Sequence, residues 1–474
     1  MKNWSIPIYD ALTKYAAANP LIFHMPGHKL GKGMPSEFLE SLHLLDVTEI
    51  PGTDNLHFPQ GAIKEAQELA AKAFGAEYTF FLVNGSTCGI HAMIMTACGP
   101  GDRLIVARDC HKSVIGGMML AGAEPVYICP EFDGRFNIST AVTEDEIERV
   151  LKENPDAKGV LITRPNYHGV CADIQRIAHL VHSCGKILMV DEAHGAHFRF
   201  NKKLPVCAMD SGADICVQSA HKTLPAFTQS AYLHVKSSKI DIDRLKMNLS
   251  LLQTTSPSYI LMSSLDIARA IMENAGDKLL EKLLGLVDCF EKSLSGIEGY
   301  FLLNKSLLGA FHHDRTRLVI NVANTGLTGF EAEKLLRREF NTQVEMSDLC
   351  NIVCIATIAD SAESFDRLLY GLGEIASKFK QQSKLTDIYI GEPDIPPRKI
   401  ELKDVSYIKA ELVMLERATG RVSLQMVTPY PPGIPVLCPG EVISGDAVEY
   451  IRSIRAMGGN VLGLGEKGEI QVAV

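Results

Sequence analysis

The sequence has no hydrophobic run of membrane-spanning length, and its first ten residues, from Met1 to Asp10, lack the uninterrupted apolar core of a secretory signal. We therefore expect neither export nor a membrane anchor. It also has no block of charge of one sign, because its 47 basic and 56 acidic side chains are interspersed and give a net charge of −9. That pattern disfavours nucleic acids and membrane surfaces as partners.

A cysteine framework is absent as well. The twelve cysteines are scattered, often beside apolar residues, and no C-x-x-C pair occurs. Such a distribution predicts reduced thiols in a protein core, which fits a cytoplasmic protein. At 474 residues and 46% hydrophobic content, the chain can bury a large core and should divide into roughly two to three domains.

The sequence also lacks the loop with which many ATPases bind nucleotide phosphates. Asp191 to His194 read Asp-Glu-Ala-His, a motif shared with ATP-driven helicases, but the partner pattern G-x-x-x-x-G-K-[ST] does not occur. The nearest candidate, Gly27 to Gly33, has the wrong spacing and ends in glycine. A zinc site built on His194 and His197 lacks a third ligand at a plausible spacing, so we expect no metal.

What the sequence does contain is a regular alternation of short apolar runs with segments whose apolar residues recur at helical spacing. This alternation favours an α/β fold with a mostly parallel sheet of seven strands and helices on both faces. The predicted strands are Thr79–Val83, Arg103–Ala107, Pro125–Cys129, Lys158–Thr163, Lys186–Val190, Asp214–Gln218 and Ala231–Val235. The predicted helices between them are Thr87–Cys98, Lys112–Ala121, Thr143–Glu153 and Asp173–Cys184.

The pattern changes after about Lys236, where long helices are followed by a smaller α/β unit. The predicted helices are Ile260–Met272, Lys278–Leu294, Gly329–Phe340 and Glu363–Phe379, and the predicted strands are Arg317–Val322 and Asn351–Thr357. A proline-rich connector, Gln381–Pro397, leads to a C-terminal unit. The predicted domains are an N-terminal linker segment (1–30), a large domain (31–260), a small α/β domain with linking helices (261–380) and a C-terminal domain (381–474).

Polar segments follow four of the predicted strands at their carboxyl ends. In open parallel sheets, ligands bind outside that edge, so we expect these segments to converge on one site. They are Asn84–Thr87, Asp109–His111, Asp191–His194 and Ser219–Lys222.

Lys222 and Asp191 suggest the chemistry of that site. A lysine at a strand end can hold pyridoxal phosphate (PLP) as a Schiff base, while a carboxylate on a neighbouring strand keeps the pyridine nitrogen protonated. A solvated surface lysine is the competing interpretation of Lys222 taken alone. Asp191, at a strand end in a partly buried site, needs a positive partner, and a pyridinium is one.

Two further segments have both a functional and an ordinary interpretation. Asn84–Thr87 presents hydroxyls and backbone N–H groups at a helix N-terminus, which suits a phosphate, but ordinary helix capping explains it too. His111 could stack on a flat cofactor ring, whereas a lone histidine in a turn is more often a surface or capping residue.

With these segments in order, the chain resembles the fold-type-I PLP enzymes, and more closely the bacterial ornithine/lysine/arginine decarboxylase family. The family's lysine signature begins Ser-x-His-Lys, and Ser219–Ala231 follows it except at Pro225, which is expected to re-angle the loop after the lysine. Further similar segments are Phe23–Lys29, Cys110–Ser113, Asp191–Gly195, Thr254–Tyr259 and Pro429–Gly433. The sequence starts at the linker, without the receiver-like domain of the large inducible members, and so resembles the compact biosynthetic arginine decarboxylases of bacilli.

The resemblance implies a cofactor site, taken position by position. Lys222 is the Schiff-base lysine, Asp191 the pyridinium partner and His111 the ring-stacking base, with Ala193 on the opposite face and His194 close by. The phosphate is implied to be held by Ser86, Thr87 and Ser219, joined by Thr255 or Ser256 from a neighbouring subunit of a homodimer or higher homo-oligomer. His221 either positions or protonates the reacting species or is a structural histidine behind the site.

The reaction implied is α-decarboxylation of a basic amino acid, with arginine giving agmatine as the first expectation and lysine or ornithine as alternatives. The distal charge of the substrate needs a carboxylate. The candidates are Glu441, Asp54 and Asp348, each equally explained as a loop or capping acid. Another PLP reaction, such as β-elimination or aldol cleavage, stays open because the fold hosts many chemistries. An inactive PLP-binding regulator or scaffold is the alternative from another class.

Overall fold

The computed structural model describes residues 5–379, 393–430 and 434–474. Most of the predicted connector Gln381–Pro397 lies outside these ranges. So do the first four residues of the predicted linker segment and residues 431–433 of the family-like segment Pro429–Gly433.

A seven-stranded sheet forms the centre of the large domain, as predicted. Six strands run parallel, and Ala231–Val235 is antiparallel to both of its neighbours. In spatial order the strands are Tyr78–Leu82, Ala231–Val235, Ile215–Gln218, Ile187–Asp191, Gly159–Thr163, Arg103–Ala107 and Glu124–Ile128. Asp191 lies opposite Val217 on one neighbouring strand and Thr163 on the other, so it is at the carboxyl end of a strand in the middle of the sheet.

Helices cover both faces of this sheet, and each face has its own apolar core. The near-continuous apolar strands are buried on both sides, which is the expected pattern for a parallel sheet. The helices up to residue 252 are Pro7–Ala17, Ser36–Leu45, Ala62–Phe74, Gly85–Ala97, Lys112–Ala121, Glu144–Glu153, Ile174–Ser183, Ala220–Thr223 and Ile242–Leu252. In the described residues, no helix has both the length and the apolarity needed to cross a membrane.

One long helix, Tyr259–Leu294, replaces the two helices predicted in this region. Gly276, near the expected break, does not interrupt it. A Cβ at Gly276 would lie 3.1 Å from the Cβ of Phe200, so the glycine lets the helix approach the large domain closely. Packing outweighs the low helix propensity of glycine here.

A second, antiparallel sheet follows the long helix. Its strands in spatial order are Phe301–Leu302, Arg317–Asn321, Asn351–Ile355 and Met346–Ser347. The helices Gly329–Glu339 and Ala362–Phe379 accompany it, and Thr342–Val344 pairs in parallel with Leu21–Phe23 near the N-terminus. The short pairs Phe132–Asp133 with Ile138–Ser139, and Val170–Cys171 with His312–His313, lie outside both sheets.

The C-terminal unit has an apolar core of its own, formed by residues between Leu415 and Val472. It contains the helix Gly445–Ala456 and two antiparallel strand pairs, Ala410–Met414 with Glu469–Ala473 and Thr428–Tyr430 with Asn460–Leu462. A separate core is a usual feature of a domain, and the predicted domain bounds stay a prediction.

Candidate active site

A cavity opens at the carboxyl ends of the central strands, where the polar segments were expected to meet. Six of the predicted site residues line it, namely Ser86, His111, Asp191, Ala193, His194 and Lys222. The other lining residues are Ile90, Asp109, Ser139, Thr163, Asn166, Tyr167, His168 and Ile434.

Lys222 lies in the short helix Ala220–Thr223, which begins almost directly after the strand Ile215–Gln218. Burial lowers the pKa of its amine to about 8, although the negative charges of Asp191 and Glu345 act in the opposite direction. A lysine with this pKa is partly uncharged near neutral pH, and only the uncharged form is a nucleophile. Lys222 therefore suits covalent attachment of an aldehyde rather than a solvated surface charge.

Asp191 is 2% exposed and ends the central strand Ile187–Asp191. In the described part of the chain its carboxylate accepts one hydrogen bond, from the Ala193 N–H at 3.1 Å. Burial raises the pKa of this carboxyl group, and the nearby Lys222 only partly offsets that effect. A protonated pyridine nitrogen would supply the missing partner, so the residue fits the expected role.

The helix Gly85–Ala97 begins at the cavity with Ser86 in its first turn. Asn84 precedes the helix and makes no side-chain capping bond, while the Gly85 N–H donates to the Gln229 carbonyl oxygen at 2.9 Å. Ser219, which is fully buried, donates its hydroxyl hydrogen to Ser86 Oγ at 2.8 Å. These features favour phosphate binding over ordinary capping, and the neighbouring Thr87 is exposed.

His111 shows both of the properties weighed from the sequence. It caps the helix Lys112–Ala121, since its Nδ1 accepts the Ser113 N–H at 3.2 Å, and it also lines the cavity. Burial, reinforced by the charge of Lys222, lowers the pKa of His111 to about 4. The ring is therefore uncharged at neutral pH and available to stack on a flat cofactor.

Arg317 and Tyr167 belong to this site but were not predicted. Arg317 Nη2 donates to His194 Nδ1 at 2.9 Å, and His194 Nε2 lies 2.9 Å from Lys222 Nζ. The Tyr167 ring contacts the His194 ring, with centroids 4.5 Å apart. A charged residue at the start of the buried strand Arg317–Asn321 was the one available signal for Arg317.

Five predicted cofactor residues are not among those that line the cavity, namely Thr87, Ser219, His221, Thr255 and Ser256. His221 Nδ1 contacts the Ser230 carbonyl oxygen at 3.0 Å, as expected of its structural interpretation. Thr255 and Ser256 are exposed in the turn before the long helix. Their expected role requires a second subunit, so it stays a prediction.

The structure does not support Asp54 or Glu441 as the distal carboxylate. Asp54 accepts backbone N–H groups of residues 55, 60, 61, 63 and 64, and so closes the turn before the helix Ala62–Phe74. Glu441 is fully buried, and its two oxygens accept from Arg108 at 2.6 and 3.0 Å. Both carboxylates are bound by the protein itself, and neither residue lines the cavity that contains Lys222.

Asp348 lies in a second cavity that adjoins the first. The two cavities share Ser139, His168 and Ile434 in their walls. Asp348 Oδ1 accepts the backbone N–H groups of residues 350 and 351, while Oδ2 accepts from the Asn351 side chain at 3.0 Å and lies 3.6 Å from His168 Nε2. Of the three predicted acids, Asp348 is the one placed beside the site.

Comparison with known proteins agrees with this architecture. The family models for the major and C-terminal domains of Orn/Lys/Arg decarboxylase match residues 6–310 and 385–467. The arginine decarboxylase of Bacillus subtilis is 42% identical over 95% of this chain and 94% of its own. The arginine decarboxylase of Halalkalibacterium halodurans is 39% identical over 94% of this chain and 92% of its own.

The fold is shared with solved structures of lower sequence identity. The lysine decarboxylase LdcF of Francisella novicida has a TM-score of 0.78 at 19% identity, covering 95% of this chain and 78% of its own. The constitutive lysine decarboxylase of Escherichia coli has a TM-score of 0.75 at 20% identity, covering 99% of this chain and 82% of its own. Matches in sequence over nearly the whole chain show that it belongs to the Orn/Lys/Arg decarboxylase family and is a PLP-dependent decarboxylase.

Proposed function

We propose that this protein decarboxylates arginine to agmatine and CO₂, with Lys222 as the lysine that binds PLP. The observation that carries the proposal is that two residues line one cavity: Lys222, which is partly uncharged near neutral pH, and Asp191, whose pKa is raised by burial. The choice of arginine is supported by similarity to bacterial arginine decarboxylases along almost the full length of both chains.

The residues around the cavity have different roles in this reaction. PLP, when bound, supplies an electron-withdrawing ring that accepts the electrons left at the substrate's Cα as CO₂ departs. Asp191 keeps a proton on the pyridine nitrogen, and His111 and Ala193 hold the two faces of the ring. Ser86, Ser219 and the N–H groups of the helix Gly85–Ala97 hold the phosphate.

The direct test is CO₂ release from arginine, lysine and ornithine in parallel, with added PLP. We expect the highest kcat/KM with arginine. A preference for lysine or ornithine would reassign the substrate, and no release from any of the three would contradict the decarboxylase role.

We propose that Asp348 is the carboxylate that binds the guanidinium group of the substrate. Support comes from its cavity, which adjoins the one that contains Lys222 and shares Ser139, His168 and Ile434 with it. A planar guanidinium pairs well with a carboxylate through two parallel hydrogen bonds. His168 lies beside this carboxylate, with its Nε2 3.6 Å from Asp348 Oδ2. That nitrogen has no hydrogen-bond partner within the described residues.

Asp348→Asn should raise KM for arginine about 10- to 100-fold and change kcat less, because a charge-assisted bond of about 1.5–3 kcal/mol is lost. Steady-state kinetics with arginine measure this. Asp241→Asn is the matched control, since Asp241 also accepts a backbone N–H but caps the distant helix Ile242–Leu252. An unchanged KM in Asp348→Asn would exclude Asp348 from binding the distal charge.

We also propose that the enzyme is a homodimer with shared active sites and works in the cytoplasm. The helix Pro7–Ala17 buries none of its residues, and Ile8 and Leu12 on it are 77% and 63% exposed, which leaves apolar surface for a partner. Exposed Thr255 and Ser256 would reach the phosphate of the other subunit. Twelve cysteines without a disulfide support a reducing compartment.

A further inference from the structure

Three side chains connect the second sheet to the reacting end of the cavity. Arg317, on the strand Arg317–Asn321, donates from Nη2 to Nδ1 of His194 at 2.9 Å. Nε2 of the same imidazole lies 2.9 Å from Nζ of Lys222. Arg317 and His194 are 1% and 3% exposed, so water does not replace these contacts.

The chemistry of the donors fixes where the proton of His194 lies. A guanidinium has only donors, so Nδ1 of His194 must accept. Burial, reinforced by the positive charges of Lys222 and Arg317, holds the pKa of His194 well below its usual value, and the ring is neutral. A neutral imidazole has a single N–H, and with Nδ1 accepting, that N–H is on Nε2 and points to Lys222.

An ammonium group has no lone pair with which to accept this N–H. The uncharged amine has one, so the hydrogen bond at 2.9 Å selects the uncharged form of Lys222. In that form the amine nitrogen can bond to the aldehyde carbon of PLP. A carbon–nitrogen double bond forms, and the aldehyde oxygen leaves as water with the two amine hydrogens.

We propose that Arg317 sets the tautomer of His194 so that the imidazole donates to Lys222 and keeps its amine uncharged and ready to bind PLP. Arg317 and His194 are thus positioning residues that act on Lys222. The inference rests on the proposed role of Lys222 as the cofactor lysine and extends it to a control of its charge.

The remaining nitrogens of the Arg317 guanidinium are consistent with this role. Its Nε and Nη1 have no hydrogen-bond partner within the described residues, so the contact with His194 is the hydrogen bond that orients the guanidinium. Burial lowers the pKa of Arg317, and the negative charges of the nearby Asp314 and Glu345 act in the opposite direction.

The direction of the pH effect follows from the groups that face Lys222. They are Asp191, Glu345, Arg317, His194, His111 and the Tyr167 ring. The two carboxylates favour the ammonium, whereas burial and Arg317 favour the amine. Loss of Arg317 removes one positive charge and frees Nδ1 of His194 to carry the proton, after which Nε2 can accept from the ammonium.

The test uses the full chain freed of PLP and labelled with ¹⁵N-histidine. Two-bond ¹⁵N–¹H correlation spectra should show His194, identified by its absence in His194→Gln, with its proton on Nε2. In Arg317→Met the proton should move to Nδ1. The control Arg269→Met, which removes an arginine on the long helix with partners Asp266 and Glu273, should keep the wild-type tautomer.

A second measurement follows the rate at which added PLP develops its visible absorption band as a function of pH. The rate should rise with pH through about 8 in the wild-type protein, and its midpoint should move up by about one pH unit in Arg317→Met. His194→Phe, which removes the donor itself, should shift the midpoint in the same direction. It replaces Arg317→Met in this measurement if circular dichroism shows that Arg317→Met does not fold.

A proton on Nδ1 in the wild-type protein, or equal midpoints in wild type and variants, would overturn the inference. Neither readout depends on arginine. A protein with the expected tautomer and midpoint shift but no CO₂ release would contradict the proposed reaction and leave the control of Lys222 intact.

Discussion

Lys222→Ala should lower kcat/KM for arginine by at least about 1,000-fold and remove the visible absorption band of bound PLP. Alanine cannot form the covalent bond that holds the aldehyde in place, and the amine that returns after each turnover is lost with it. Stopped-flow absorption and CO₂ release measure the two effects. An unchanged spectrum with added PLP would contradict the assignment of Lys222.

Subunit mixing provides the control for folding. Lys222→Ala subunits mixed with subunits that carry Thr255→Ala and Ser256→Ala should regain up to about a quarter of wild-type activity, because half of the dimers are mixed and one of their two sites is complete. Recovery would show that the alanine variant folds and that sites are shared. Absence of recovery, with mixed dimers present, would assign each site to a single subunit.

Asp191→Asn should lower kcat about 100- to 10,000-fold, because a neutral amide cannot keep the pyridine nitrogen protonated and the ring then withdraws electrons poorly. The same change should leave the melting temperature of the PLP-free chain unchanged or higher. Burial raises the pKa of the Asp191 carboxyl group and the nearby Lys222 offsets this only in part, so the charged form costs stability in the absence of the cofactor. Activity and thermal unfolding of the same preparation test both expectations.

The neighbouring Glu192 offers a matched control with the opposite behaviour. It is fully buried, but it accepts hydrogen bonds from the Ala208 N–H at 2.9 Å and the Gln218 side chain at 2.7 Å, and it lies 3.5 Å from Arg164. Burial also raises the pKa of Glu192, to about 7, but unlike Asp191 it is held by these partners, and the amide would lose one of its two acceptor oxygens. Glu192→Gln should therefore lower the melting temperature while kcat is retained. Loss of kcat in Glu192→Gln without unfolding would argue that general disturbance of this loop, rather than the chemistry of Asp191, accounts for the first result.

The seven strands of the large sheet could be predicted because buried parallel strands are short, apolar and separated by helices of regular spacing. Lys222, Asp191 and His111 could be predicted for a related reason, since the carboxyl ends of such strands meet at one edge. Their position in the chain already implied their position in space.

Arg317 could not be found in this way. It reaches the cavity from a different sheet, more than a hundred residues after His194 in the chain. The three candidate acids were indistinguishable in the sequence, because a carboxylate that closes a turn and one that binds a ligand follow the same local pattern. Only the fold distinguishes them, because Asp348 lines the cavity next to the one that contains Lys222, whereas Asp54 and Glu441 line neither cavity.

The shared wall at Ile434 has a consequence for how such enzymes diversify. Ile434 belongs to the C-terminal unit, which also supplies Tyr450 and Ile454 to the cavity beside Asp348. Lys222 and Asp191 come from the large domain, whereas Asp348, Tyr450 and Ile454 come from later stretches of the gene and share their cavity with Ser139 and His168. Mutations or recombination in the later stretches can change which amino acid is accepted while the catalytic machinery is inherited intact.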